Sequence, residues 1–164
     1  MIAQETMVRM GELAVTRSQD DVLVSIGLGS CIGLAVLDRG GGLAGLAHIM
    51  LPAAGANDLN TGDAKFADVA VKRLVAELTT LGADPSRLEA VLVGGAQMFG
   101  GGGSSTLDIG SRNEDATRAA LSELDVPVRA AATAGSKGRT IRVRVSPLVV
   151  QVKEAGGMEV SLFS

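Results

Sequence analysis

The sequence predicts an α+β fold: a layered α/β sandwich with a mostly antiparallel sheet and two main helices, formed as one domain over residues 1–164. Three observations support this. Short apolar or alternating runs recur along the chain between glycine, proline and polar clusters, as strands do. A helical period appears in only two stretches. Strands and helices also do not alternate one for one, as a parallel α/β sheet requires. The length suits one core-forming domain, and 46% hydrophobic with 20% charged residues is a folded composition.

Residues 22–26 read as a strand after the turn Ser18-Gln19-Asp20-Asp21. The apolar runs 32–37 and 43–50 flank Gly40-Gly41-Gly42 and read together as a hairpin. Pro52 ends the second strand, and 55–63 is a polar loop. Over 64–81 the period becomes helical, with Phe66, Val69, Ala70, Leu74, Leu78 and Leu81 on one stripe. Asp63 is the expected cap and Gly82 the stop. Residues 88–93 form a strand that enters the break Gly94-Gly95-Ala96. Ser111-Arg112-Asn113-Glu114 has capping-box spacing and predicts a second helix to about residue 124. Strands follow at 126–132, 140–145, 148–152 and 158–162. Of these, 140–145 alternates cleanly and predicts one buried and one wet face.

A net charge of −3, three Phe and no Tyr or Trp leave neither a basic footprint nor stacking platforms for nucleic acid. One cysteine cannot form an internal disulfide. The first twelve residues mix charged and apolar side chains, unlike a signal peptide. The weakly polar stretch 43–56 is too short to span a bilayer, so no membrane insertion is expected and the cytoplasm is the default compartment. The 22 glycines cluster at 27–33, 40–45, 94–95, 100–103 and 156–157, where tight turns or close backbone approaches are expected.

The single cysteine and single histidine, Cys31 and His48, lie on either side of the glycine turn. A thiol is a good nucleophile at neutral pH when a base helps remove its proton, and imidazole is the usual helper. If Asp38 and Leu43 close the hairpin as an opposed pair, Gly33 falls opposite His48 and Cys31 opposite Met50. Cys31 and His48 then share a face as diagonal neighbours, roughly 7–8 Å apart between backbones. The same residues also fit inert packing, since lone cysteines and histidines in apolar runs are commonly core residues. Gly27-Leu28-Gly29-Ser30 places the sulfur in a turn whose backbone N–H groups can lower a thiol pKa and bind an oxyanion. One histidine cannot build a His-rich metal site, and no cofactor is expected.

These residues carry a resemblance. Leu28-Gly29-Ser30-Cys31, Ala47-His48-Ile49-Met50-Leu51-Pro52, Gly94-Gly95-Ala96-Gln97-Met98-Phe99, Ile109-Gly110-Ser111-Arg112-Asn113 and Gly138-Arg139 are similar to motifs of the chemoreceptor glutamine deamidase family, CheD. The resemblance implies a Cys–His–Thr triad on an α/β sandwich, with Cys31 as nucleophile, His48 as base and Ser25 where many relatives carry Thr. It implies turn and oxyanion support at Gly29 and Ser30. It also implies conversion of receptor glutamine to glutamate through a thioester. The implied partners are the cytoplasmic helices of chemoreceptors and a CheC-type phosphatase, with Met98 and Phe99 as apolar contacts; Phe99 fits a core position equally well.

Two other readings compete with this one. Gly27-x-Gly29-x-x-x-Gly33 after a strand mimics a phosphate-binding turn, but no polar-faced helix follows and no acidic residue stands about 20 positions on. The fold could also serve as a non-catalytic adaptor for a phosphatase or receptor. Mass analysis of receptor glutamines separates adaptor from enzyme.

Overall fold

The computed structural model describes residues 4–54, 63–98 and 108–164. Two five-stranded sheets stack face to face. The first has the order β1 (Gln4–Met7), β3 (Asp21–Leu28), β8 (Arg139–Arg144), β9 (Val149–Glu154), β10 (Glu159–Phe163). The second has the order β2 (Leu13–Thr16), β5 (Leu43–Ile49), β4 (Ile32–Asp38), β6 (Glu89–Gly94), β7 (Val128–Thr133). The pairings β1–β3 and β6–β7 are parallel and all others antiparallel. Helices α1 (Ala67–Leu81) and α2 (Ile109–Glu123) cover the outer face of the second sheet. The layers therefore run sheet, sheet, helices: the expected layered α/β sandwich with two main helices, its strands divided between two mostly antiparallel sheets.

The layering explains which strands alternate. β4 and β5 lie in the middle layer, with helices on one side and the first sheet on the other, and every residue in both is buried. That double burial calls for continuous apolar runs. β8 lies in an outer layer and alternates, burying Ile141 and Val143 between the sheets. One core joins Ile32, Leu34, Ala47 and Ile49 to Ala70, Leu74 and Leu121 of the helices. The other joins Ala35, Leu46, Val91 and Val93 to Leu23, Leu28, Ile141 and Val150 across the sheets.

The hairpin register is the expected one, with Asp38 opposite Leu43 and Gly33 opposite His48. Its turn is pinned by Asp38, which accepts from Gly41 N–H and, in bidentate fashion, from Arg87. The Arg87 hydrogen bonds outweigh burial and hold the Asp38 carboxyl down to about 2.

Several local expectations are corrected. Asp63 does not cap α1: its carboxylate accepts from Lys65 N–H, and Phe66 takes the N-cap position without a side-chain cap. Phe66 therefore precedes the helical stripe. Gly82 does close α1, at φ 123°. Ser111 does not open α2. Asp108 is the cap, its carboxylate accepting from Ser111 N–H, so the helix starts three residues earlier. β1 and β2, on which the sequence reading is silent, form one edge of each sheet. The polar stretch 55–62 and the glycines 100–103 lie outside the described residues.

Candidate active site

The site begins with an irregular strand end. β3 slips register against β8 between Ser25 and Leu28, so Ile26 and Gly27 bulge outward and Ile26 is left exposed. Gly27 adopts φ 65°, which suits glycine. The chain then turns through Gly29, Ser30 and Cys31 into β4.

Three consecutive carbonyls of this turn are held by three different donors. Gly29 O accepts from Ala96 N–H at 2.8 Å, and Cys31 O accepts from Gly95 N–H at 2.9 Å. Ser30 O accepts from the Asn113 side-chain amide at 2.9 Å. No acceptor among the described residues takes the N–H of Ser30 or Cys31. A turn with its carbonyls bound inward and its amides unclaimed has the parts of an oxyanion hole. The donor strand exit is fixed in turn by Arg139, a buried guanidinium on Gly94 O and Ala134 O. Glu154 pairs with it from the surface.

Cys31 is half-buried and packs against the core between the sheets. Gly33, two residues on, faces Ile141 and Leu28 of the first sheet with no room for a side chain. His48 stands opposite Gly33 and so faces the first sheet with it, the side on which Cys31, in the turn just before β4, also packs. The expectation of a shared face is met.

His48 is buried and its Nδ1 lies 3.1 Å from Val8 O. A carbonyl only accepts, so Nδ1 carries the hydrogen, and a neutral ring keeps a lone pair on Nε2. Burial pushes the imidazole pKa down, against the opposing pull of the Val8 carbonyl and the Glu12 charge. Burial pushes the Cys31 thiol up. The turn was expected to lower the thiol; desolvation acts the other way. Both groups therefore rest uncharged at neutral pH.

Ser25 is fully buried, and its hydroxyl donates to Val8 O at 2.7 Å. Ser25 and His48 thus meet on one carbonyl oxygen and not on each other. The sequence reading missed Val8, because a backbone carbonyl carries no side-chain signature. A cavity of about 190 Å³ opens beside His48, lined by Met7, Val8, Arg9, Met10 and Ile26. Met98 lies over Gly29, close enough to leave no room for a Cβ there, and is 47% exposed. Phe99 lies outside the described residues.

The profile of the family described as CheD chemotactic sensory transduction matches residues 50–154. A protein of Caldanaerobacter subterraneus subsp. tengcongensis is 43% identical over 135 residues, covering 82% of this chain and 83% of its own. One of Clostridium tetani is 38% identical over 157 residues, covering 95% and 94%. Both are named probable chemoreceptor glutamine deamidase CheD, as is a Moorella thermoacetica protein 44% identical over 84% of this chain.

This chain belongs to the CheD family.

The matched profile begins after Cys31 and His48, so the C. tetani alignment, covering nearly the whole chain, is the broader comparison. Among solved structures, the CheD-family chain is similar to a Bacillus licheniformis hypothetical protein, YfiH, at TM-score 0.46 and 14% identity, covering 73% of this chain and 51% of that one. YlmD from Geobacillus stearothermophilus gives 0.47 and 16%, covering 75% and 50%. Among the described residues, no helix is long and apolar enough to cross a membrane.

Proposed function

We propose that this CheD-family chain is a protein-glutamine deamidase that converts glutamines on the cytoplasmic helices of chemoreceptors to glutamate. The observation that carries this reading is the buried His48, its Nδ1 within hydrogen-bond distance of Val8 O, on the same side of the hairpin as Cys31. Family membership and the names of the relatives support the substrate class.

The resting pair is thiol and neutral imidazole. Nε2 of His48 takes the Sγ proton as Sγ attacks the carboxamide carbon, and the Ser30 and Cys31 N–H groups receive the developing oxyanion. The tetrahedral adduct collapses with cleavage of the C–N bond, and the imidazolium returns its proton to the departing ammonia. A thioester remains. Water then attacks it while His48 accepts a water proton. Cleavage of the C–S bond gives glutamate, and the sulfur recovers its proton. Val8 O keeps the required tautomer throughout, and Ser25 holds Val8 O. All steps use protein groups and water.

Met98, above the nucleophile turn, is the apolar contact for the receptor or a CheC-type phosphatase; a partner bound there would cover the site. Incubation with a purified receptor cytoplasmic fragment tests the reading. Wild type should convert specific glutamines to glutamate with ammonia release, and Cys31→Ala should bind the fragment without converting it. No conversion by wild type bound to receptor would overturn the enzyme and leave an adaptor.

A further inference from the structure

We infer that Asn113 is a positioning residue of this site: its one buried amide joins the carbonyl preceding Cys31 to the carbonyl ending the His48 strand. The inference rests on the reading of Cys31 and His48 as nucleophile and base. Asn113 is fully buried in the second turn of α2. Its Nδ2 donates to Ser30 O at 2.9 Å and to Met50 O at 3.0 Å, engaging both amide hydrogens. Reversing the amide would set Oδ1 against two carbonyl oxygens, so the contacts themselves fix its orientation.

The placement completes the hairpin at its open end. The ladder between β4 and β5 begins at Ile32 opposite Ile49, so Cys31 and Met50 stand beyond the last rung. Strand ends fray where pairing stops. Asn113 supplies a rung from a third element, one bond to each chain. Ser30 is covalently next to Cys31, and Met50 is two residues from His48. The amide thereby limits how far the sulfur-bearing turn and the imidazole-bearing strand can separate.

Two further observations bear on this role. The Asn113 Oδ1 is buried and has no hydrogen-bond partner among the described residues. A buried acceptor without a donor lowers stability, which offsets part of what the two donated bonds contribute. Helix α2 is also seated with little freedom: a Cβ on Gly110 would stand 2.5 Å from both Gly95 O and Ala96 O. Those residues are the ones whose N–H groups hold Cys31 O and Gly29 O. The amide is thus delivered from a helix start that is locked to the rest of the turn.

The test uses Asn113→Ala and Asn113→Leu, the second filling the volume without donors, and Leu121→Val as a stability control on the same helix. On a receptor fragment, both Asn113 variants should lose kcat by on the order of 10- to 100-fold per folded molecule, with KM little changed. Both should also shift the pH dependence of Cys31 alkylation by iodoacetamide. Leu121→Val should lower Tm and move neither readout. Wild-type kcat in Asn113→Leu, or an unchanged alkylation profile in both variants, would overturn the proposal. If neither folds, Asn113→Gln decides, since it keeps both donors on a longer arm. Folded and slow supports the role; folded and fast, or unfolded as well, overturns it. If wild type leaves receptor glutamines untouched while alkylation still shifts in the variants, the placing role stands and the deamidase reading falls.

Discussion

Ser25→Ala tests how the base is oriented. In the wild type, two donors converge on Val8 O: the Ser25 hydroxyl at 2.7 Å and His48 Nδ1 at 3.1 Å. The substitution removes the shorter bond and leaves the ring held by one contact to a carbonyl with more freedom. A hydrogen bond of this kind contributes about 0.5–1.5 kcal/mol net. If that whole amount sets the imidazole position, kcat falls by roughly 2- to 13-fold, because 1.36 kcal/mol corresponds to tenfold. The expected loss is thus far smaller than for Cys31→Ala, which removes the proposed nucleophile. Ser25→Thr keeps the hydroxyl and should retain most activity, although a methyl must fit where Ser25 is fully buried. The assay is initial-rate ammonia release from a receptor fragment, normalised to folded protein. Complete inactivity of a folded Ser25→Ala would refute the indirect role and place the hydroxyl in the chemistry. An unchanged rate would refute any coupling through Val8.

Two further outcomes follow from the same geometry. His48 must be neutral to act as base, and burial holds its pKa below the ordinary 6.5, so kcat/KM should stay level down to that value and fall only at lower pH. The same group makes stability fall as pH drops below 6.5, since the unfolded chain takes up the proton first; a rate profile declining from pH 8 downward would contradict this. Gly94→Ala would bring a Cβ onto the Cys31 carbonyl oxygen at a φ of 112°. The backbone conformation alone costs about 1–2 kcal/mol, and the clash adds to it, so reduced Tm and activity are expected; wild-type values of both would refute the tight approach.

The hairpin was legible because its determinants are local. A glycine triplet closes it, and Asp38 opposite Leu43 sets every later pair, including Gly33 opposite His48. The apolar runs of β4 and β5 marked the strands themselves, while their burial on both faces emerges only from the layering. Helix starts were less legible, because acidic and hydroxyl residues crowd both junctions. Asp108 and Ser111 each suit a cap; the helix takes the earlier start, which seats Gly110 against Gly95 and Ala96. β1 was hidden by its own composition, since Gln4–Met7 is an exposed edge without alternation. Val8 is the instructive omission. Its contribution is a carbonyl that any residue supplies, fixed by the edge segment after β1 and by Ser25. A buried hydroxyl in the apolar run 22–26 was the available hint, and it pointed to the right place with the wrong partner.

The electrostatics of the pair determine what the turn must do. In water a thiol at 9.0 already holds its proton more tightly than an imidazole at 6.5, and burial moves the two further apart. Burial therefore favours the neutral pair, thiol and imidazole, over a standing thiolate–imidazolium pair. The transfer becomes favourable only when charge leaves the sulfur for a carboxamide oxygen met by backbone N–H groups. That requirement makes the turn as important as the pair. Amides left to relax would stabilise the oxyanion less than amides already in place, because reorganisation would add to the barrier. The carbonyls of Gly29, Ser30 and Cys31 are held from the segment just after β6 and from α2, both far away in sequence, and so the amides are set before substrate arrives. On the proposed mechanism a thiol activated in this way is a weaker nucleophile before a carboxamide docks than a free thiolate would be, which favours the docked substrate.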